Sequence, residues 1–92
     1  MNIVDLLEKY PEDFICKFTT TKTRDEQGRK QTHYNATAYD THTQWSWTVQ
    51  KHKYRTADGE VVREYFCNRE LDKELVERLY ELVKGVHNEE NN

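Results

Sequence analysis

Hydrophobic and polar residues alternate along much of the chain from Phe14 to Cys67, and apolar residues recur at helical spacing on either side of that stretch. A period of two predicts strands, and apolar residues three and four positions apart predict amphipathic helices. The pattern therefore predicts an α+β domain with the element order α-β-β-β-β-α. Its simplest architecture is a four-stranded antiparallel β-meander with the N-terminal and C-terminal helices packed on one face.

Both predicted helices have recognisable ends. The first is predicted over Ile3–Tyr10, with Asn2 as its N-cap. The second is predicted over Arg69–Lys84, with Asn68 as its N-cap and Gly85 as its C-terminal stop, because glycine adopts the left-handed conformation that often ends a helix.

The predicted strands lie at Phe14–Thr23, Lys30–Tyr39, Gln44–Arg55 and Glu60–Cys67. In the first hairpin, Gly28 suits the positive φ of a three-residue loop. If Asp25 faces Arg29, Phe18 lies opposite Ala36, so that a large side chain meets a small one on the inward face. This agreement between turn chemistry and apolar pattern supports the register.

The other two turns set the remaining registers. A tight turn through residues 40–43 predicts Trp45 opposite Ala38 and Trp47 opposite Ala36. Asp58-Gly59 is a strong hairpin signal, and a two-residue turn there predicts Lys53 opposite Glu64. The inward face of the fourth strand stays open, since its apolar residues occupy both parities.

Composition narrows the class of protein. Charged residues make up 34% and hydrophobic residues 35% of the 92 residues, which fits one small domain over residues 1–87 with a disordered tail over 88–92. Two cysteines, Cys16 and Cys67, are too few for a disulfide framework. With no signal-peptide pattern and no membrane-length apolar run, we expect a cytoplasmic protein.

The net charge of −3 conceals a segregation of charge along the chain. Residues 1–13 carry one lysine and four acids, whereas residues 70–92 carry three basic and seven acidic side chains. The middle, residues 14–69, holds ten basic residues against six acids. Such asymmetry is typical of solvated surfaces of opposite sign, and it also supports selective binding of a charged partner.

Motifs for catalysis, metals and cofactors are missing from the sequence. There is no phosphate-binding loop, no Cys-x-x-Cys pair and no His-x-x-x-His pair. We therefore expect no enzyme activity, no metal site and no cofactor. The weaker alternative is a Cys67 thiol nucleophile near a helix N-terminus, with His52 as its base.

Two groups of aromatic residues are candidates for partner binding. Trp45 and Trp47 either fill the layer between sheet and helices or anchor a partner, and strand alternation favours the first reading. The outward sheet face and the hairpin over residues 51–63 carry tyrosine and basic side chains, which are common anchors of interfaces. The predicted partner-binding residues are Tyr39, Lys51, His52, Lys53, Tyr54, Arg55 and Arg63.

These features favour a non-catalytic protein-binding module, with a phage- or mobile-element-type inhibitor or adaptor acting on a host macromolecule as one form of that hypothesis. The alternative is a nucleic-acid-binding domain that uses the weakly basic sheet and hairpin. The element order resembles that of double-stranded-RNA-binding domains, but residues 70–74 are acidic where that family is basic. An acidic net charge also weakens attraction to phosphate. Homodimer formation by pairing of edge strands is left open.

Overall fold

The computed structural model describes the backbone of residues 2–90 and the side chains of residues 2–88. Four antiparallel strands form one sheet in the order β1-β2-β3-β4, and both helices pack on one face of it, as predicted. A short 3-10 turn, Pro11–Asp13, separates the first helix from the sheet. The elements are α1 (Ile3–Lys9), β1 (Phe14–Arg24), β2 (Lys30–Asp40), β3 (Ser46–Arg55), β4 (Val61–Cys67) and α2 (Lys73–Glu90).

The N-terminal helix α1 is capped as its sequence predicts. The Asn2 side-chain oxygen accepts a hydrogen bond of 2.9 Å from the Asp5 backbone N–H, which satisfies one of the free donors of the first turn. The helix ends one residue before the predicted Tyr10, whose N–H donates to the Leu6 carbonyl as the chain turns into Pro11. Ile3, Val4 and Leu7 form the buried side of this helix.

The β1–β2 and β3–β4 hairpins use the same loop. Gly28 and Gly59 both have positive φ, of 79° and 87°, and each N–H donates to the carbonyl three residues earlier. The predicted pairing of Phe18 with Ala36 is confirmed in the first hairpin. The predicted two-residue turn at Asp58-Gly59 is wrong, because the Thr56 N–H donates to the Glu60 carbonyl and closes a three-residue loop. Asp58 also lacks the positive φ that an Asp-Gly type I′ turn requires.

The length of this loop decides which face each residue of β4 occupies. Lys53 lies opposite Arg63, not Glu64, so the register differs by one residue from the predicted one. A one-residue difference exchanges the two faces of a strand. The residues of β4 on the helix side are therefore Val61, Arg63, Tyr65 and Cys67.

The β2–β3 register differs from its prediction by two residues. Trp47 lies opposite Ala38, and Trp45 lies outside the strand. The turn is longer because the Asp40 carboxylate accepts from the backbone N–H groups of His42 and Thr43 while Gln44 adopts a φ of 65°. A shift of two preserves the faces, so the inward assignment of Trp47 is retained.

The C-terminal helix α2 begins and ends later than predicted. Asn68 caps no helix, since its amide bonds to the Thr48 N–H and the Ser46 carbonyl of β3. The first helical bond joins the Val76 N–H to the Asp72 carbonyl. The helix also continues through Gly85, because Val86 beyond it still packs against the core. Residues 88–90 of the predicted tail are helical, and residues 91–92 lie outside the described part.

The core lies between the two helices and one half of the sheet, the half that is remote from the β1–β2 and β3–β4 loops. Its centre is made of Val4, Leu7, Ala36, Val49, Leu79 and Val83, all essentially inaccessible to solvent. Small alanines on β2 let the helices approach the sheet closely. Burial ends along each strand before the β1–β2 and β3–β4 loops, and the molecule measures 45 × 30 × 18 Å. The far half of the helix-side sheet face is therefore open to solvent, with Thr32, Lys53 and Val61 half-buried and the other side chains of its two rows exposed.

Candidate functional site

Basic side chains occupy the helix-side face of the sheet beyond the core. Their positions share the parity of the core residues Cys16, Ala36 and Val49, so they project from the same face as the helices. The pairing arranges them in two rows across the four strands, about 7 Å apart and roughly 14 Å wide. We call this set the cationic face: Lys22, Arg24, Lys30, Lys53, Arg55 and Arg63.

The charges of the cationic face are not balanced internally. The two other positions in its rows are Thr32 and Val61, so no acid lies in either row. Among the described side chains, the ion pairs involve other cations: Arg29, His42, His52 and Arg78. Such an arrangement attracts an external anion.

Two pairs within the cationic face place like charges directly opposite each other. Lys53 faces Arg63 across β3 and β4, and Arg24 faces Lys30 across β1 and β2. Directly opposed like charges destabilise a sheet. The fold therefore holds an unfavourable electrostatic arrangement, of the kind that a bound anion would relieve.

The hairpin loops fix two arginines at the end of the sheet. The Arg24 and Arg55 guanidinium groups donate to the carbonyls of Gly28 and Gly59, at 2.8 and 3.0 Å. Each bond uses one of five N–H donors, so the remaining donors stay available to a ligand. The equivalence of the two hairpins thus places one arginine on the edge strand β1 and a matching one on the interior strand β3.

A pocket of about 430 Å³ opens on this face between β2 and β3. Its lining is basic and hydroxylic and contains no carboxylate. The residues that line it are Arg29, Lys30, Thr32, Lys53, Tyr54, Arg55, Thr56 and Val61.

Lys51 also projects from the helix side of the sheet, but its ammonium group packs against tyrosine rings at the edge of the core. Its ammonium nitrogen is 5.6 Å from the ring centre of Tyr34, 5.5 Å from that of Tyr65 and 5.0 Å from that of Tyr80. A cation at such distances over three rings is held by their negative faces. Burial, together with Tyr34 and other nearby groups, raises the pKa of Tyr80 well above its ordinary range, so its ring stays neutral beneath the lysine.

The remaining predicted site residues lie on the opposite, open face. Tyr39 pairs with Ser46 near one end, and His52 and Tyr54 lie toward the other. The rings of His33 and His52 stack at 4.5 Å, and His52 also packs against Tyr54. A hydrogen bond of 3.0 Å from the Tyr54 hydroxyl to the Glu64 carboxylate raises the tyrosine pKa.

The two tryptophans have different surroundings. Trp47 packs against the core, whereas Trp45 is 56% exposed. The Arg69 guanidinium carbon lies 4.4 Å from the Trp45 ring centre and 5.5 Å from that of Trp47. Arg69 thus covers one face of the exposed tryptophan, far from the cationic face.

The predicted partner site is therefore divided between the two faces of the sheet. Arg63, Lys53 and Arg55 come together on the cationic face, while Lys51 is engaged by tyrosines. Sequence reasoning missed Lys22, Arg24 and Lys30, although their even spacing from Phe18 and Ala36 already assigns them to the helix side. The strands are longer than the part of the sheet that the helices cover, and this difference in length is the signal that would have indicated exposed basic residues on the helix side.

The described residues also lack two features that would suggest other functions. They contain no group of three or more His, Cys, Asp or Glu side chains placed to hold a metal ion. No helix among residues 2–90 combines the length and apolar character needed to cross a membrane. Comparison of the chain with protein-family models, curated proteins and solved structures finds no significant match.

Proposed function

We propose that this protein is a non-catalytic binding module that recognises an acidic surface of another protein through its cationic face. The observation that carries the proposal is a set of six basic side chains on one exposed sheet face, without a described acidic partner. Binding of an acidic patch would neutralise the opposed pairs Lys53–Arg63 and Arg24–Lys30. Inhibition of the partner or its recruitment to another molecule are the two modes of action open to such a module.

Charge elsewhere on the molecule favours a compact acidic partner over a long polyanion. The chain has a net charge of −3 although the cationic face alone holds six basic side chains, so acidic residues outnumber basic ones over the rest of the sequence. A nucleic acid extending beyond the roughly 14 Å wide cationic face would meet this negative field. A protein can confine its acidic residues to the area of the cationic face.

Nucleic-acid binding is the second candidate, favoured by the same lack of acids in the rows. Six cations can neutralise at most six phosphates, so the slope of log Kobs against log salt would be no steeper than about −5 for duplex DNA. The cytoplasmic location expected from the sequence stays a prediction.

The test is affinity capture of tagged protein from a lysate, with and without nuclease, at low and moderate salt. A charge-reversed variant carries Lys22→Glu, Lys30→Glu and Arg63→Glu. A control variant carries Lys17→Glu and Lys73→Glu, which alter exposed lysines outside the cationic face. The proposal predicts a stoichiometric protein that survives nuclease and is lost only with the first variant. Retention of that protein by both variants, or recovery of nucleic acid alone, contradicts it.

A further inference from the structure

We infer that the pocket between the two hairpin loops is a subsite for a phosphomonoester, presented as a phosphorylated side chain of the protein partner. This inference rests on the proposed function, since it assigns one chemical group of that partner to one part of the cationic face. The pocket lies where β2 and β3 approach their loops and holds about 430 Å³. Basic groups surround this concave space, and a neighbouring depression lined by Lys22, Arg24 and Lys30 lies between β1 and β2 on the same face.

The charge of the lining fits a dianion better than a single carboxylate. The Arg29 side chain is matched by Asp25, whose carboxylate oxygen lies 2.8 Å from the arginine Nε. Lys30, Lys53 and Arg55 remain without a described acidic partner. One carboxylate would leave two of these three charges unneutralised, whereas a phosphomonoester carries about −1.5 to −2 charges and three acceptor oxygens at neutral pH.

Hydrogen-bond donors around the pocket are already positioned. The Arg55 guanidinium is held by its bond to the Gly59 carbonyl, and the Arg29 guanidinium by Asp25. The Thr56 hydroxyl oxygen accepts from the Glu60 N–H at 3.2 Å, which leaves its own O–H to donate. Thr32 adds a second hydroxyl to the lining. Groups fixed before binding lose less conformational entropy on contact with the ligand.

The size of the pocket leaves space for more than the phosphoryl group. A volume of about 430 Å³ falls near the lower end of the range for small-ligand sites, roughly 300–1,000 Å³. Val61 and the aliphatic stems of Lys30 and Lys53 supply apolar wall. The phosphorylated side chain itself, aromatic or aliphatic, fits this remaining space.

The pH dependence of binding distinguishes a phosphomonoester site from a general cationic surface. The second ionisation of a phosphomonoester lies near pH 6. The charged groups that face the pocket come from three elements. The β1–β2 loop supplies Arg29, paired with Asp25, and β2 supplies Lys30. Strand β3 supplies Lys53 and Arg55, and Arg63 on β4 is adjacent. Arginine and lysine stay charged across pH 5–8 in ordinary surroundings. The stacked histidines His33 and His52 lie on the opposite face of the sheet.

The experiment titrates phenyl phosphate and, separately, phenyl sulfate into the intact protein and follows backbone amide chemical shifts. Phenyl phosphate is expected to shift Thr32, Lys53 and Thr56 at pH 7.5, with affinity falling roughly three- to tenfold at pH 5.0 as the dianion is lost. Phenyl sulfate, a monoanion at both pH values, is expected to bind more weakly and without this pH dependence. Equal affinity and equal pH dependence for the two probes, or shifts confined to other residues, would overturn the inference.

Matched variants make the result specific. Lys53→Gln should lower the affinity for phenyl phosphate by about tenfold, the loss expected for one charge-assisted contact. The exposed Lys17→Gln should leave it unchanged. An oligonucleotide with hydroxyl ends, which contains only phosphodiesters, serves as a further probe. If it shifted the same backbone amide signals with the same affinity per negative charge, the site would be one for phosphodiesters and the inference would be overturned. If lysate capture still depends on the cationic face while phenyl phosphate fails to bind, the subsite is wrong and the proposed function stands.

Discussion

Reversing the charge of Lys53 should stabilise the fold while it abolishes binding. Lys53 lies opposite Arg63, diagonal to Lys30, and two residues from Arg55 on its own strand. Two unit charges about 6 Å apart repel by about 0.7 kcal/mol in water, and salt at 0.15 M roughly halves that value. Changing repulsion to attraction gains twice the screened value for the opposed pair, about 0.7 kcal/mol, and the more distant cations raise the total to about 1 kcal/mol.

The assay is thermal and urea unfolding of Lys53→Glu beside Lys53→Gln, which removes the charge without reversing it. A gain of about 1 kcal/mol corresponds to a rise in Tm of roughly 4–8 °C for a domain of this size, with about half that rise for the glutamine variant. At 1 M salt, where the screening length is about 3 Å, the gain should nearly vanish. A lower Tm for Lys53→Glu at low salt, or a gain that persists at 1 M salt, would refute the proposed repulsion.

Substitutions at four other positions should change the stability of the fold. Leu79→Ala should reduce the free energy of unfolding by about 3–4 kcal/mol, measured in urea, because it empties a fully buried site between α2 and the sheet. Gly59→Ala should cost about 1–2 kcal/mol, since a side chain at φ +87° is strained even where space is open; equal stability would argue against the loop. Lys51→Met should lower Tm by several degrees, because the contacts of its ammonium with three tyrosine rings are lost. Because the pKa of Tyr80 is raised in the folded state, its contribution to stability is complete below pH 10 and is lost as the pH rises above that value. The free energy of unfolding should therefore decline from pH 9 to 11, and Tyr80→Phe should reduce this decline.

The sequence predicts the element order and the faces of three strands well, because those follow from local periodicity. Cys16, Ala36 and Val49 fall on the inward face in the structure as their alternation indicates. The α1 cap at Asn2 is equally local. Features of this kind depend on a few neighbouring residues and do not require knowledge of the tertiary fold.

The errors arise where a turn or a cap is decided by distant contacts. Asn68 is a plausible helix cap in sequence, but β3 supplies its hydrogen-bond partners twenty residues earlier, at Thr48. Gly85 is a plausible stop, yet packing of Val86 against the core outweighs the cost of about 1 kcal/mol for glycine inside a helix. Tertiary packing prevails over local propensity in both cases.

The candidate site depended on a single loop. Whether Gly59 belongs to a two-residue or a three-residue turn decides the face on which Arg63 lies, and hence whether it joins Lys53. The identical bonding at Gly28 and Gly59 was visible only in the structure. Exposure of Lys22 and Lys30 likewise depends on where α2 stops covering the sheet, which periodicity does not reveal.

Contact between the cationic face and a protein partner can be tested residue by residue. The most direct measurement is lysine acetylation footprinting of the free protein and of the captured complex, with each lysine quantified by mass spectrometry. The proposal predicts slower acetylation of Lys22, Lys30 and Lys53 in the complex, with unchanged rates at Lys17 and Lys73. Protection of Lys17 without protection of those three would contradict it and would place the interface on the open face of the sheet.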